Sequence, residues 1–224
     1  MLQQSTLQFL DDLKANNNRD WFLEHKKRYE AFKKDYLGLV SDLLEAMKPN
    51  DSSLEMTQIK DCAFRINRDI RFSKDKSPYK THLGIGISGD GKQMTRAHYY
   101  LHIEKNACFV GGGVYMPMPD QLLKIRKEIA FFHDDLNEIL EDKKFKTTFG
   151  NFSADEKLKL KNPPKGFEKE HPAVEFLKFK SFTAGTTFNI QDATKKEFVA
   201  KVVAIFLTLK PFNDFLNRAL ETDE

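Results

Sequence analysis

The stretch RINRDIRFSKDKSPYKTH, residues 65–82, gathers six Arg and Lys side chains around Asp69 and Asp75. Six cations less two carboxylates give it a formal charge of +4, whereas the whole 224-residue chain carries +3, so the remainder sums to −1. The chemistry such a segment offers is recognition of an anion. Arginine presents a planar fork that fits a carboxylate or phosphate, and lysine supplies a mobile point charge. Arg65 and Arg71 fall on one side of an alternating run with Asp69 between them, so two guanidinium groups could hold an anion while Asp69 orients one. Arg68 points the other way, and a carboxylate from a helix is expected to neutralise it. Ser73 and Asp75 suit bonds to nearby backbone amides, and Pro78 keeps Ser77 extended. Lys74, Lys76, Tyr79 and Lys80 then sit on a loop at a strand end, where binding residues gather. The plainer alternative is a solvated basic loop tied down by its own aspartates, against which stands the density of arginine.

Other chemistries fit less well. His98 and His102 are four apart, which on a strand separates them by about 13 Å, so no metal site is expected from that pair. A nuclease centre would draw on Asp69, Asp75 and Glu104, but flanking arginines make Asp69 a better ion-pair partner than a magnesium ligand. Ser73, Cys62 and Cys108 lack the spacing of an activated nucleophile. Gly111-Gly112-Gly113 is followed by neither a helix start nor Lys-Ser/Thr, so it is no phosphate loop. Nucleic-acid binding would use the same cations with Tyr79, Tyr99, Tyr100 and Tyr115 for stacking, yet the near-neutral remainder offers no extended basic track.

These side chains need a scaffold. Apolar spacing predicts a helix over 5–15, then a long one from Asp20 to about Met47 with Asn18 as its cap. Between about 62 and 116 the period changes to 2, and CAFRINRDIRF, LGIGIS, AHYYLHIE and ACFVGGGVYM read as strands joined by hairpins. Pro119 opens a helix that continues through Leu140, and 150–173 reads as irregular. KSFTAGTTF, 180–188, is a last strand, and Thr194 to about Leu209 an amphipathic helix. The expectation is one α+β domain over 1–224: an antiparallel sheet of about five strands flanked by N-terminal, middle and C-terminal helices.

On the first strand Cys62, Phe64, Ile66, Ile70 and Phe72 share an apolar face, and Arg65, Asn67, Asp69 and Arg71 the polar one. On later strands Gly84, Gly86, Gly111 and Gly113 fall among His98, Tyr100 and His102. That surface is expected to leave room for a ligand unless a helix packs closely or the glycines form a bulge.

The totals bound the rest. Forty per cent hydrophobic residues with 20 Phe can supply a core, and the high but balanced charge excludes polybasic and acidic tails. Neither a leader pattern nor about eighteen consecutive apolar residues is present, so a cytoplasmic chain with no membrane partner is expected. Cys62 and Cys108 then read as reduced, buried thiols, and the glycosylation matches at Asn50 and Asn151 carry no meaning.

Arg68-Asp69, Arg71-Phe72-Ser73, Asp75-Lys76 and Pro78-Tyr79-Lys80-Thr81 together resemble the signature of the domain of unknown function 2461 family. The resemblance extends to Asn17 with Trp21-Phe22 and Tyr29, to Leu122 with Ile125-Arg126, and to Pro163-Pro164-Lys165-Gly166-Phe167 with His171-Pro172. It implies membership of a bacterial and fungal family and brings no activity, substrate or catalytic residue with it. The expected function is therefore read from the residues: a small phosphate- or carboxylate-bearing ligand held by Arg65, Asp69, Arg71, Ser73, Asp75, Lys76, Tyr79, Lys80, His98, Tyr100 and His102, with no cofactor. Nucleic-acid binding or processing, or a non-catalytic scaffold, are the alternatives.

Overall fold

The computed structural model describes residues 1–150 and 158–221; Asn151 and the 151–157 part of the expected irregular stretch lie outside the described residues. The chain forms α1 (Gln4–Ala15), α2 (Arg19–Glu24), α3 (Lys26–Met47), α4 (Ile59–Cys62), β1 (Leu83–Ile87), β2 (His98–Ile103) and β3 (Phe109–Val114). Then follow α5 (Pro119–Phe131), α6 (His133–Glu141), α7 (Lys143–Phe149), α8 (Val174–Leu177), β4 (Phe182–Thr187) and α9 (Phe198–Glu221). The strands make one antiparallel sheet in the order β1-β2-β3-β4, so the fold is α+β with four strands among the described residues where about five were expected.

The missing strand is the run over 62–72. Its pairing is confined to isolated bridges, Ala63 to Ile85 and Asn67 to Tyr79. Cys62 is buried and Ile66 and Ile70 half-buried, but Phe64 is 37% and Phe72 95% exposed, so the expected apolar face is only partly covered. Local bonds have displaced the ladder: Asp69 accepts the Arg71 backbone N–H, and the Ser73 N–H reaches the Ile70 carbonyl. Side chains of this kind offer the backbone an alternative to sheet pairing.

Helix boundaries follow the caps. Asn18 does cap α2, its side chain accepting the Trp21 N–H at 2.9 Å, but the expected long helix is interrupted at His25. The expected middle helix likewise breaks at Phe132. The last helix runs on through Pro211, because Phe212, Phe215, Leu216 and Ala219 continue its buried stripe.

Two compact units can be described separately. The first comprises Met1–Ile87, Tyr100–Val110 and Thr187–Val203. Its core packs Phe9, Leu13, Phe32, Leu39, Val40 and Leu43 with Ile85, Leu101 and Ile103. Buried Tyr36 ties α3 to the sheet, donating to the Gly84 carbonyl at 2.6 Å and accepting the Phe64 N–H at 2.8 Å. Burial pushes its phenol well above the ordinary range.

The second unit comprises Ser88–Tyr99, Gly111–Thr186 and Ala204–Glu224. Tyr99 packs on Phe206, and Arg126 donates to the carbonyls of Leu177 and Phe179, fastening α5 to the segment after α8. Here the glycine run of β3 is pressed against neighbouring backbone: a Cβ on Gly111 would stand 2.2 Å from the Ala184 carbonyl oxygen. In the first unit a Cβ on Gly84 would stand 2.8 Å from the Tyr100 hydroxyl. The space expected for a ligand at these two glycines is thus filled by the protein itself.

No helix among the described residues is long and apolar enough to cross a membrane. Cys62 and Cys108 are both free and buried, and burial raises both thiols, Cys62 to about 11.

Candidate functional site

The basic segment folds as a closed loop between α4 and β1, and Arg68 is its staple. Its guanidinium donates to Asp75 at 2.6 Å, to the Ser77 carbonyl at 3.0 Å and to Ser73 Oγ at 3.4 Å. The carboxylate expected from a helix comes instead from seven residues along the same loop. Asp75 in turn accepts the Ser77 hydroxyl at 2.7 Å and the Ser77 N–H at 2.9 Å. The far end of the loop is anchored by Asn17, whose amide donates to the Tyr79 carbonyl at 2.9 Å and accepts the Tyr79 N–H at 3.1 Å. Tyr79 is buried against Phe22, with ring centroids 4.1 Å apart.

The Ser77 hydroxyl and N–H, followed by Arg68, hold the Asp75 carboxyl down at about 2. A carboxylate depressed from about 3.9 stabilises the folded loop fully above that value and stops doing so as pH falls through its folded pKa. We expect the loop to loosen between about pH 4 and pH 2. Carbon-detected titration of Asp75, with exchange of the Ser77 amide, would follow it; a midpoint near 3.9 would mean that the loop is open in solution.

Beside this loop lies a cleft of about 570 Å³, lined by Lys14, Asn17, Arg68, Asp69, Asp75, Ser77, Tyr79, Lys80, Thr81 and His82. Arg68 is matched by Asp75, and Lys14 by Glu104 at 3.2 Å. Lys80 has no carboxylate partner among the described residues; its ammonium lies 5.2 Å from the centroid of the Phe64 ring. Burial and then Arg65 lower its pKa, so the charged form is held at a cost.

Of the residues singled out in the sequence, Asp69, Asp75, Tyr79 and Lys80 line this cleft. Arg71 makes a two-pronged pair with Asp69 at 2.9 and 2.6 Å and is 76% exposed. Lys76 caps the Ile70 carbonyl, Ser73 meets Arg68, and Arg65 is exposed. Tyr100 and His102 stand together on β2, the hydroxyl 3.1 Å from His102 Nδ1. His98 belongs to the second unit, where its ring meets the Arg96 carbonyl.

Residues 5–215 match the family described as Conserved hypothetical protein (DUF2461). The chain belongs to the DUF2461 family. No curated protein and no solved structure matches it significantly. The site of this DUF2461 protein therefore has to be read from its own geometry. That geometry adds Lys14, Asn17, Thr81 and His82, which charge patterning did not single out. Asn17 and Thr81 had a signal, as part of the resemblance to DUF2461. His82 closes the basic run, and nothing local marks it as turned into the cleft.

Proposed function

We propose that the cleft binds a small phosphate- or carboxylate-bearing ligand in the cytoplasm, with Lys80 as the principal cation. The observation that carries the reading is a half-buried ammonium at a cleft wall, disfavoured by burial and by Arg65, with no carboxylate to neutralise it among the described residues. A bound anion supplies the missing partner through charge-assisted hydrogen bonds. Asn17, Ser77 and Thr81 offer neutral polar groups beside it. The Arg71–Asp69 pair is satisfied and exposed, so it is assigned to loop structure rather than to the ligand. A cytoplasmic location fits the two free thiols.

Thermal melts with inorganic phosphate and a panel of phosphorylated and carboxylated metabolites, all in EDTA, test this. The ligand should stabilise by about 2.7 kcal/mol at a hundredfold excess over its dissociation constant. Lys80→Met should abolish the response and Arg71→Ala keep it. Binding should also weaken as pH rises past the depressed Lys80 pKa. A panel without effect, or an undiminished response in Lys80→Met, would overturn the reading. A steep salt dependence of binding to RNA or DNA would replace the small anion with nucleic acid.

A further inference from the structure

At the end of the cleft where His82 stands, the structure brings His82, His102 and Glu104 together, with one potential ligand atom from each inside 4.8 Å of the others. The topology explains the convergence. β1 and β2 are antiparallel neighbours, so the residue just before β1 stands beside those leaving β2. His102 and Glu104 are two apart and share a side of the chain. A pairing of His98 with His102 could never have done this, whereas His82 arrives from another strand.

We propose that His82, His102 and Glu104 bind one late first-row divalent ion of the Zn²⁺ type, with its open position turned to the cleft. Two imidazoles and one carboxylate form a borderline donor set that suits Zn²⁺ or Co²⁺ better than Mg²⁺ or Ca²⁺, which favour oxygen cages. Ligands about 2.1 Å from a tetrahedral ion stand about 3.4 Å apart. His102 Nε2 and Glu104 Oε2 are already 3.4 Å apart. The His82 ring, 4.6 Å from the His102 ring between centroids, needs to swing by roughly an ångström, within the freedom of its side-chain torsions.

The surroundings are those of a ligand set rather than of loose surface groups. His102 Nδ1 faces the Tyr100 hydroxyl at 3.1 Å, which can accept the Nδ1 proton once Nε2 binds an ion and so holds the ring in the ligating orientation. Phe109 stacks on the same ring at 5.2 Å and 15°. Lys14 takes the other oxygen of Glu104, leaving Oε2 to turn inward. Three protein ligands leave a four-coordinate ion one position for water or an exchangeable group. Since His82 also lines the cleft, an anion on Lys80 can reach that position. This last step rests on the anion reading; the metal site itself does not.

The test uses the full chain stripped with EDTA and Zn²⁺ alone as probe. Competition with a chromophoric chelator should show one equivalent bound, and the imidazole nitrogen resonances of His82 and His102 should shift together on addition. Glu104→Gln and His82→Gln should each weaken binding by about 100-fold or more, and Tyr100→Phe by about 10-fold. The nitrogen shifts are read in the unaltered protein, so they decide the matter even if a variant fails to fold. Absence of stoichiometric binding, shifts confined to other histidines, or variants that bind like the parent would overturn the proposal. Because the phosphate melts are run in EDTA, either proposal can fail while the other stands.

Discussion

Alanine at Gly112 should destabilise the protein by roughly 3 kcal/mol or more, whereas alanine at Gly38 should stabilise it by about 0.5–1 kcal/mol. The same added methyl meets opposite surroundings. At Gly112 the new Cβ would lie 2.0 Å from the His98 carbonyl oxygen, 3.1 Å from its carbon and 2.8 Å from Leu209 Cδ2. Leu209 can turn away; the strand carbonyl cannot move without giving up ladder bonds, so β2 and β3 must part locally. Glycine inside a strand commonly marks such a close approach of backbone. Gly38, in the middle of α3, has nothing within 4 Å of its Cβ position, and there alanine removes only the entropy of glycine in the unfolded chain. Urea melts of the two variants give the comparison directly. A loss below 1 kcal/mol at Gly112 would mean that the strands are not held at this spacing.

The contrast also marks what the sequence could and could not convey. Helical periodicity located α1, α3, α5 and α9, which bury residues recurring at three and four positions, as Phe32, Tyr36, Leu39, Val40 and Leu43 do in α3, whereas the short α4, α7 and α8 were not anticipated. Alternation located all four strands, and in β2 the burial follows it residue by residue. It failed at 62–72 because a period of 2 in side-chain type is not evidence of a pairing partner. Asp69, Ser73 and Asp75 spend their polar groups on the loop itself. The strand glycines had two readings, room for a ligand or room for backbone, and only the neighbour's position separates them. Breaks such as those at His25 and Phe132 left no glycine or proline to announce them.

Within the candidate site the same division holds. Density of charge pointed to the loop that borders the cleft, yet it could not say which cations are already matched. Arg68 and Asp75 are seven apart, Arg71 and Asp69 two, and both pairs use up guanidinium groups that would otherwise count toward an anion. Of the four cations left, Arg65, Lys74 and Lys76 are exposed and do not line the cleft, and Lys80, ordinary as a sequence feature, is set apart by its environment. Lys14, Asn17 and Glu104 reach the loop or its neighbours from far along the chain. No local pattern carries such distances.

Asn17 shows how far this dependence goes, and its removal should cost about 2–4 kcal/mol, since two partly buried backbone groups each lose their partner. Its amide occupies the place of a neighbouring strand for one residue: Nδ2 donates to the Tyr79 carbonyl and Oδ1 accepts the Tyr79 N–H, across 62 positions of sequence. Only a carboxamide can do both at once. Asn17→Ala loses both bonds. Asn17→Asp keeps an acceptor for the N–H but sets a carboxylate against the Tyr79 carbonyl, so it should fare little better despite its shape. Because Tyr79 directly precedes Lys80, the loosened backbone also releases the ammonium from the cleft wall, and phosphate should lose its effect on the melting temperature even where the variant remains folded. Hydrogen exchange at the Tyr79 amide, with melts in and out of phosphate, reads both consequences. An aspartate variant as stable as the parent would show that the Tyr79 carbonyl finds another donor, and the cleft would then owe its form to Arg68 and Asp75 alone.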